Sequence, residues 1–456
     1  MTSPHPAPTE APGSPPGMRW STATAAFQIE GARTADGRGR SIWDDFVDRP
    51  GAVRDASTAE PACDSYRRVA DDVELVAGLG VDRYRFSIPW VRIQPGGTGP
   101  ANQAAIDHYS RLVDSLLERG VTPFPTLYHW ELPSEIEAAG GWLERDTAER
   151  FADYTALVAD RLGDRVRSWY TLNEPAMTTL QGYGTGEFAP GRQLLFGALP
   201  TVHHQLLAHG RAAAVLRAAG ATQVGLTNNH TRVLPASASD ADLMAAFLYD
   251  TIHNRMFSEP LLSGAYPDVE ALGLPALPVQ DGDLQLIAAS LDYYGVNFYS
   301  PTTVAATPEG SPLPFDLLPT PDAPLTGFGW PIVPEALRDL LVDLAHRHPD
   351  MPPIVIGENG ASFPEPSTAG RVQDDERIAY LSAHIAAVGQ AIAQGVRVDE
   401  YTVWSLMDNF EWADGYTQRF GLVHVDFGSG VRTPKASYDW YRDLIRASRA
   451  DEGARR

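Results

Sequence analysis

Two short strings each set a glutamate directly behind an apolar or β-prone run. TLNEP at 171–175 places Glu174 after Trp169-Tyr170-Thr171-Leu172, and GENG at 357–360 places Glu358 after Ile354-Val355-Ile356. A carboxylate at the C-terminal end of a buried strand is costly unless partners or work offset its desolvation. Two of them, far apart in sequence but at similar strand ends, fit a barrel that gathers reacting groups at one mouth. A pair of carboxyl groups can cleave a glycosidic bond, one as acid/base and one as nucleophile. A separation of ~5–5.5 Å predicts retention at the anomeric carbon and ~6.5–9.5 Å predicts inversion.

Other strand ends carry groups suited to sugars. Gln28 follows the first expected strand, and Arg85 lies in the second. His129 and Trp130 follow the third, Asn173 and Glu174 the fourth. Asn297 and Tyr299 end the sixth, Glu358 the seventh and Trp404 the eighth. A sugar ring needs hydrogen-bonding groups for its hydroxyls and flat apolar surfaces for its C–H faces. Each residue alone has an ordinary structural reading, but their recurrence at one end of most strands favours a binding mouth. A buried strand arginine must be paired, and a carboxylate at the same mouth is a natural partner for Arg85, which would favour the ionised form. Tyr299 can donate a hydrogen bond to the same group.

The elements that must position these residues follow from periodicity. Short β-rich runs at 84–88, 123–127, 168–172, 224–227, 293–298, 354–356 and 401–405, with a weaker first run near 20–25, alternate with amphipathic stretches at 104–118, 147–162, 199–219, 241–258, 334–347 and 374–394. About eight strand–helix units predict parallel strands with helical crossovers, closed into a single (β/α)8 TIM barrel over 18–446. The Pro-rich segment 300–328 would cut the repeat if it were a linker, and so reads as a long active-site loop. The stretch 1–17 reads as a disordered tail and 447–456 as a polar, frayed one.

Composition narrows the function classes. The 456 residues carry a net charge of −22, which argues against nucleic acid and against an anionic membrane surface. Lys435 is the only lysine, so a Schiff-base barrel chemistry and a P-loop are both excluded. Cys63 is the only cysteine, which rules out an internal disulfide and reads as a buried free thiol. With no apolar run of membrane-spanning length and no secretory pattern at the start, the chain reads as cytoplasmic.

At the level of ordered motifs the chain resembles the glycoside hydrolase family 1 β-glucosidases. The matching segments are ATAAFQIEGA (23–32), SIWDDF (41–46), YRFSIPW (84–90), LYHWELP (127–133), TLNEP, GVNFYS (295–300), GENG and WSLMDNFEWADGYTQRFGL (404–422). The resemblance implies a retaining exo-β-glycosidase, with Glu174 as acid/base and Glu358 as nucleophile. It implies that Gln28, His129, Asn173, Asn297, Glu411 and Trp412 hold the sugar, with Trp404 as its floor and Trp330 on the leaving-group side. The expected substrate is a small β-glycoside or oligosaccharide: a terminal β-glucoside, with galactosides, fucosides and cello-oligosaccharides as further candidates. No metal or other cofactor is expected. A transglycosylase would use the same residues, and an inactive sugar-binding barrel is the competing class.

Two departures stand out. The family usually has threonine before the nucleophile, where this chain has Gly357, and Arg19-Trp20-Ser21-Thr22 strays from the usual opening. The phospho-sugar branch is expected to carry serine, lysine and tyrosine near 411, 418 and 420, where this chain has Glu411, Gln418 and Phe420. A phosphate would meet a carboxylate there, which disfavours it. His346-Arg347-His348 sits at a helix end, where cations complement the dipole, rather than at a metal. Asn229-His230-Thr231 matches a glycosylation pattern that means little without a secretory signal, and the Gly182–Gly186 run is misplaced for a dinucleotide loop.

Overall fold

In the computed structural model the eight expected runs are strands of one closed parallel barrel. They are β1 (Arg19–Ala23), β2 (Arg83–Ser87), β3 (Thr122–Tyr128), β4 (Ser168–Asn173), β5 (Gln223–His230), β6 (Tyr294–Phe298), β7 (Ile354–Asn359) and β8 (Val398–Trp404). Each pairs with its sequence neighbour, and β1 closes on β8 in the register Arg19↔Glu400 to Ala23↔Trp404. The structure describes residues 15, 17–289, 291–365 and 371–455. All but two residues of the expected N-terminal tail lie outside them.

Strand ends point one way because every return path is a helix. The crossover Gln103–Glu118 buries Ile106, Tyr109, Val113 and Leu116, a helical stripe that can face only the sheet. It stops before Gly120, whose φ of +73° suits glycine. The strands are buried on both faces, so β7 reads Ile-Val-Ile without polar alternation.

Inside the barrel, Phe124, Tyr170, Tyr293 and Val355 form a small separate core. The Arg85 guanidinium rests on Tyr170, 4.7 Å from its centroid, and Arg83, two residues earlier on the same face, rests on Phe124 at 4.8 Å. Arg83 turns towards the barrel bottom, where it meets Glu400 at 3.1 Å. Arg85 turns towards the mouth.

Three segments differ from the periodicity reading. The 300–328 loop is ordered: Thr302–Ala306 pairs antiparallel with Phe315–Leu318 and parallel with Val233–Pro235, making a small sheet outside the barrel. The 241–258 stretch is broken into Asp240–Asp250, a π-helical turn Thr251–Arg255, and Met256–Leu262. The polar tail from 447 instead continues the helix Ala436–Arg455. It is held there by Ser448, which accepts from the Trp20 indole at 3.3 Å, and by Arg449, which donates to Asp82 at 2.8 Å. Polar composition marks an exposed helix face here, not a frayed end.

Candidate active site

Glu358 ends β7 within a dense cage. Arg85 donates to its Oε1 at 2.6 Å and the Tyr299 hydroxyl donates to its Oε2 at 2.5 Å. Arg85 is itself fixed by Thr126 Oγ1 at 3.1 Å, the Gly357 carbonyl at 3.0 Å and Asn173 Oδ1 at 2.6 Å. Burial raises the Glu358 carboxyl above its ordinary value, and the Arg85 cation, the Tyr299 hydroxyl and the Asn297 amide oppose part of that rise by favouring the ionised form.

Glu174 lies just beyond β4 with φ +46°, a left-handed conformation that costs a side-chain-bearing residue energy and is found where surroundings impose it. Among the described residues no cation forms an ion pair with it. Asn297 Nδ2 donates to its Oε1 at 2.7 Å and Asn229 Nδ2 donates to the same oxygen at 3.0 Å. Burial, followed by the charge of Glu358, pushes its carboxyl up to about 8. With both amides on Oε1, the proton that this shift retains belongs on Oε2.

One network links the two carboxyls. Asn297 stands in register with Asn229 on β5 and with Glu358 on β7. Its Nδ2 also reaches Asn173 Oδ1 at 3.2 Å, which already accepts from Arg85. With its oxygen so engaged, Asn173 turns its amide nitrogen to His129 Nε2 at 3.0 Å. Burial and Arg85 hold His129 neutral, so accepting at Nε2 places its proton on Nδ1. That Nδ1 is buried with no partner among the described residues.

Gln28 is the complement. Its Nε2 donates to Asn409 Oδ1 at 2.9 Å, the Phe410 carbonyl at 3.0 Å and Glu411 at 3.3 Å. Its Oε1 is buried and unpartnered among the described residues. An unmet donor on His129 and an unmet acceptor on Gln28 suit a hydroxyl, which offers both functions. Glu411 is buried too, and its carboxyl is driven well up by burial and by Asp414, Glu358 and Glu174, against the opposing Gln28 amide.

Aromatic rings wall the mouth. Trp412 packs 4.6 Å from Trp130, 4.5 Å from Trp43 and 6.0 Å from His129, and His129 lies parallel to Trp404 at 5.8 Å. The Trp130 indole donates to the Asn173 carbonyl at 3.0 Å, so that residue braces the β4 end and offers its polar edge to nothing else. Trp330 stacks on Phe328 at 4.4 Å and lies 5.4 Å from Tyr299, forming a rim at the end of the 300–328 insertion.

The arrangement brings together a carboxyl held by a cation, a carboxyl held protonated, and a polar, aromatic-walled recess beside them. The family model described as Glycosyl hydrolase family 1 matches residues 14–450. The chain belongs to that family.

It is similar to the thermostable β-glucosidase B of Thermobispora bispora, 45% identical over 97% of this chain and 93% of that protein. It is 43% identical to the bifunctional β-D-glucosidase/β-D-fucosidase of Bifidobacterium breve, over 97% and 99% of the two chains. Among solved structures, the psychrophilic β-glucosidase BglU of Micrococcus antarcticus superposes with a TM-score of 0.91 at 44% identity, covering 96% of this chain and 98% of that one.

Several residues of this family 1 site escaped the sequence reading. Asn229 was expected only as a weak sequon, yet it donates to Glu174. Its place near the end of β5 is the available signal, since Asn173, Asn297 and Glu358 stand at the corresponding ends of β4, β6 and β7. His253 arrives from the π-helical turn and meets Asn229 Oδ1 at 3.2 Å; a continuous helix reading conceals it. Lys435 is wholly buried and donates to Glu365 and, at 2.7 Å, to Asp408. Asp408 also accepts from Arg419 at 3.0 Å. Glu365, Asp408 and His424 draw their ligating atoms within 4.8 Å, but the lysine already supplies a cation there. This cluster anchors the loop after β8 that presents Asn409, Glu411 and Trp412. His346-Arg347-His348 ends the helix Pro334–Arg347, where the motif was expected. Among the described residues, no helix is long and apolar enough to cross a membrane.

Proposed function

We propose that this chain is a β-glucosidase that cleaves terminal, unphosphorylated β-glucosides with retention, using Glu358 as nucleophile and Glu174 as acid/base. The observation that carries the reading is the unlike setting of two buried glutamates at one mouth. Glu358 has a cation and a phenol, which favour a carboxylate. Glu174 has two neutral amides and a raised pKa, which favour a carboxylic acid at neutral pH.

The steps follow from those charges. Glu358 attacks the anomeric carbon while Oε2–H of Glu174 protonates the glycosidic oxygen, and the aglycone leaves as an alcohol. Glu358 is then an ester and carries no charge. One of the causes that raised Glu174 is removed, so the carboxylate it has become is a weaker base than before but stays deprotonated. It takes a proton from water, water adds to the anomeric carbon, and the ester bond to Glu358 breaks. Proton donation and a carboxylate nucleophile supply what a Lewis acid would otherwise provide.

Recognition rests on the recess. His129 Nδ1–H and Gln28 Oε1 face a hydroxyl, Glu411 accepts from another, Asn173 and Asn297 fix the carboxyls, and Trp404 with Trp412 covers the ring. Trp330 and Tyr299 line the leaving-group side. The fucosidase activity named for the B. breve relative makes β-fucosides a second substrate class for this chain. Gln418 is tied to Ser362 at 2.7 Å and stands near Glu411 in sequence, with no lysine there to meet a phosphate. We place the protein in the cytoplasm, a reading that a buried, unpaired Cys63 fits.

A panel of nitrophenyl β-glucoside, β-fucoside, β-galactoside and 6-phospho-β-glucoside tests this. Turnover of the glucoside with first release of the β-anomer is expected. Preference for the phosphorylated sugar overturns the assignment, and failure on every β-glycoside leaves the sugar-binding barrel.

A further inference from the structure

Glycine precedes Glu358, and its neighbours explain why. A Cβ built on Gly357 would sit 2.7 Å from Thr227 Oγ1, 2.7 Å from Asn297 Oδ1 and 3.3 Å from Thr227 Cβ. The volume that a side chain at 357 would occupy is therefore filled from β5, by the Thr227 side chain and the amide it holds. Thr227 is fully buried, and its hydroxyl donates to Asn297 Oδ1 at 2.7 Å.

Arg85 commits Asn173 Oδ1 as an acceptor, which sets the direction of the Asn297 amide, and the Thr227 hydroxyl anchors the amide in that direction. With Oδ1 engaged by the hydroxyl, Nδ2 must point to Glu174 Oε1 and Asn173 Oδ1, at 2.7 and 3.2 Å. A flipped amide would set oxygen against oxygen at both places, and the Thr227 hydroxyl would have to turn from donor to acceptor. Asn229, the other amide on Glu174, is oriented separately by His253. Thr227 and Asn229 are two residues apart on β5, and so share the face that looks into the mouth.

We propose that Thr227 is a positioning residue for Glu174, acting through the Asn297 amide, and that Gly357 lacks a side chain because Thr227 occupies its space. The two positions form one coupled pair, in which the hydroxyl is delivered from β5 rather than from the strand that carries Glu358. The proposal rests on Glu174 being the acid, so the test carries a control for that role.

The experiment measures kcat/KM against pH for phenyl and dinitrophenyl β-glucosides. The enzymes are wild type, Thr227→Val, Thr227→Ser, Gly357→Thr, Thr227→Ala, the double variant Thr227→Ala/Gly357→Thr, and Glu174→Ala. Dinitrophenolate leaves without protonation, so it does not report on the acid. Thr227→Val is expected to lose roughly tenfold on the phenyl glucoside, the scale of one neutral hydrogen bond, and about twofold or less on the dinitrophenyl one. Its alkaline limb should move up, because Glu174 loses an oriented N–H that stabilises its anion. Thr227→Ser should keep both properties. Gly357→Thr should fall on both substrates, and the double variant should recover most of that loss.

Equal losses on both substrates, an unmoved alkaline limb, or a double variant no better than the product of its singles overturns the pair. If Glu174→Ala shows the leaving-group dependence and Thr227→Val does not, only the positioning role falls. If Glu174→Ala lacks it, the acid assignment and the positioning role fall together.

Discussion

Charge on Glu358 is the second cause, after burial, that raises Glu174 to about 8, so neutralising it should lower Glu174 by a calculable amount. Glu358→Gln keeps the shape and the Tyr299 and Arg85 neighbours but removes the charge. Two unit charges about 5 Å apart, the spacing of a retaining pair, interact by roughly 3 kcal/mol at an effective dielectric of about 20. That is about two pKa units, which puts Glu174 in the variant near ~6 rather than at the ordinary carboxyl value, because the burial cost stays. Carboxyl-labelled glutamate followed by carbon NMR across pH 4–10, with Glu174→Gln identifying the resonance, reads this directly. The same neutralisation occurs when Glu358 becomes an ester. The wild-type enzyme should therefore show an alkaline limb in kcat/KM near 8, and an acid limb about two units lower in the hydrolysis of its covalent intermediate. A Glu174 that titrates near 4.5 in wild type, or one that moves by less than about half a unit in Glu358→Gln, refutes the charge coupling. The sign also reaches stability. The folded state holds a proton on Glu174 that the unfolded chain releases above its ordinary value, so this site destabilises the fold increasingly from about pH 4.5 to 8. Glu174→Gln should accordingly gain melting temperature over wild type as pH rises through that window.

Further expectations concern the groups around the pair. Arg85→Met leaves Glu358 buried without its cation, so the acid limb of kcat/KM should move up and activity should fall by about a hundredfold or more; an unchanged limb would separate Arg85 from Glu358 ionisation. Lys435→Met removes the buried cation shared by Asp408 and Glu365, leaving them Arg419 and His424, and should cost roughly 3 kcal/mol in denaturant unfolding, whereas a loss under about 1 kcal/mol would show that the remaining cations compensate. Prolonged chelation should leave activity on nitrophenyl glucoside intact, and full loss restored by one divalent ion would contradict the two-carboxylate chemistry.

How far the sequence reveals this site depends on whether a residue's partner is local or remote. The strands were legible because runs such as Ile354-Val355-Ile356 are apolar without alternation, as strands covered on both faces must be. The pairing of Arg85 with a mouth carboxylate was legible because a buried arginine in a strand demands one. Boundaries shifted by one to three residues, and β5 proved longer than the 224–227 run because it continues through Asn228, Asn229 and His230, polar residues met by β6, the acid, the π-helical turn and the helix after it. His253 was hidden because periodicity cannot show where one extra residue enters a helical turn. The single lysine excluded several chemistries from composition alone, but its role under the loop after β8 depends on Glu365 and Asp408, which meet it only in three dimensions. Gly357 taken alone is only a departure from the family's usual threonine; beside Thr227 it reads as the space that an anchoring side chain from β5 requires.

The division of labour between the two glutamates is tested most directly with azide, which separates their roles. Glu358→Ala should be inactive on dinitrophenyl β-glucoside, and azide filling the vacated space should restore turnover and give the α-glucosyl azide. Glu174→Ala should still form the covalent intermediate rapidly with that substrate, and azide should speed its breakdown to the β-glucosyl azide. Azide products of swapped configuration would reverse the two roles, and rescue of neither variant would contradict the double displacement itself.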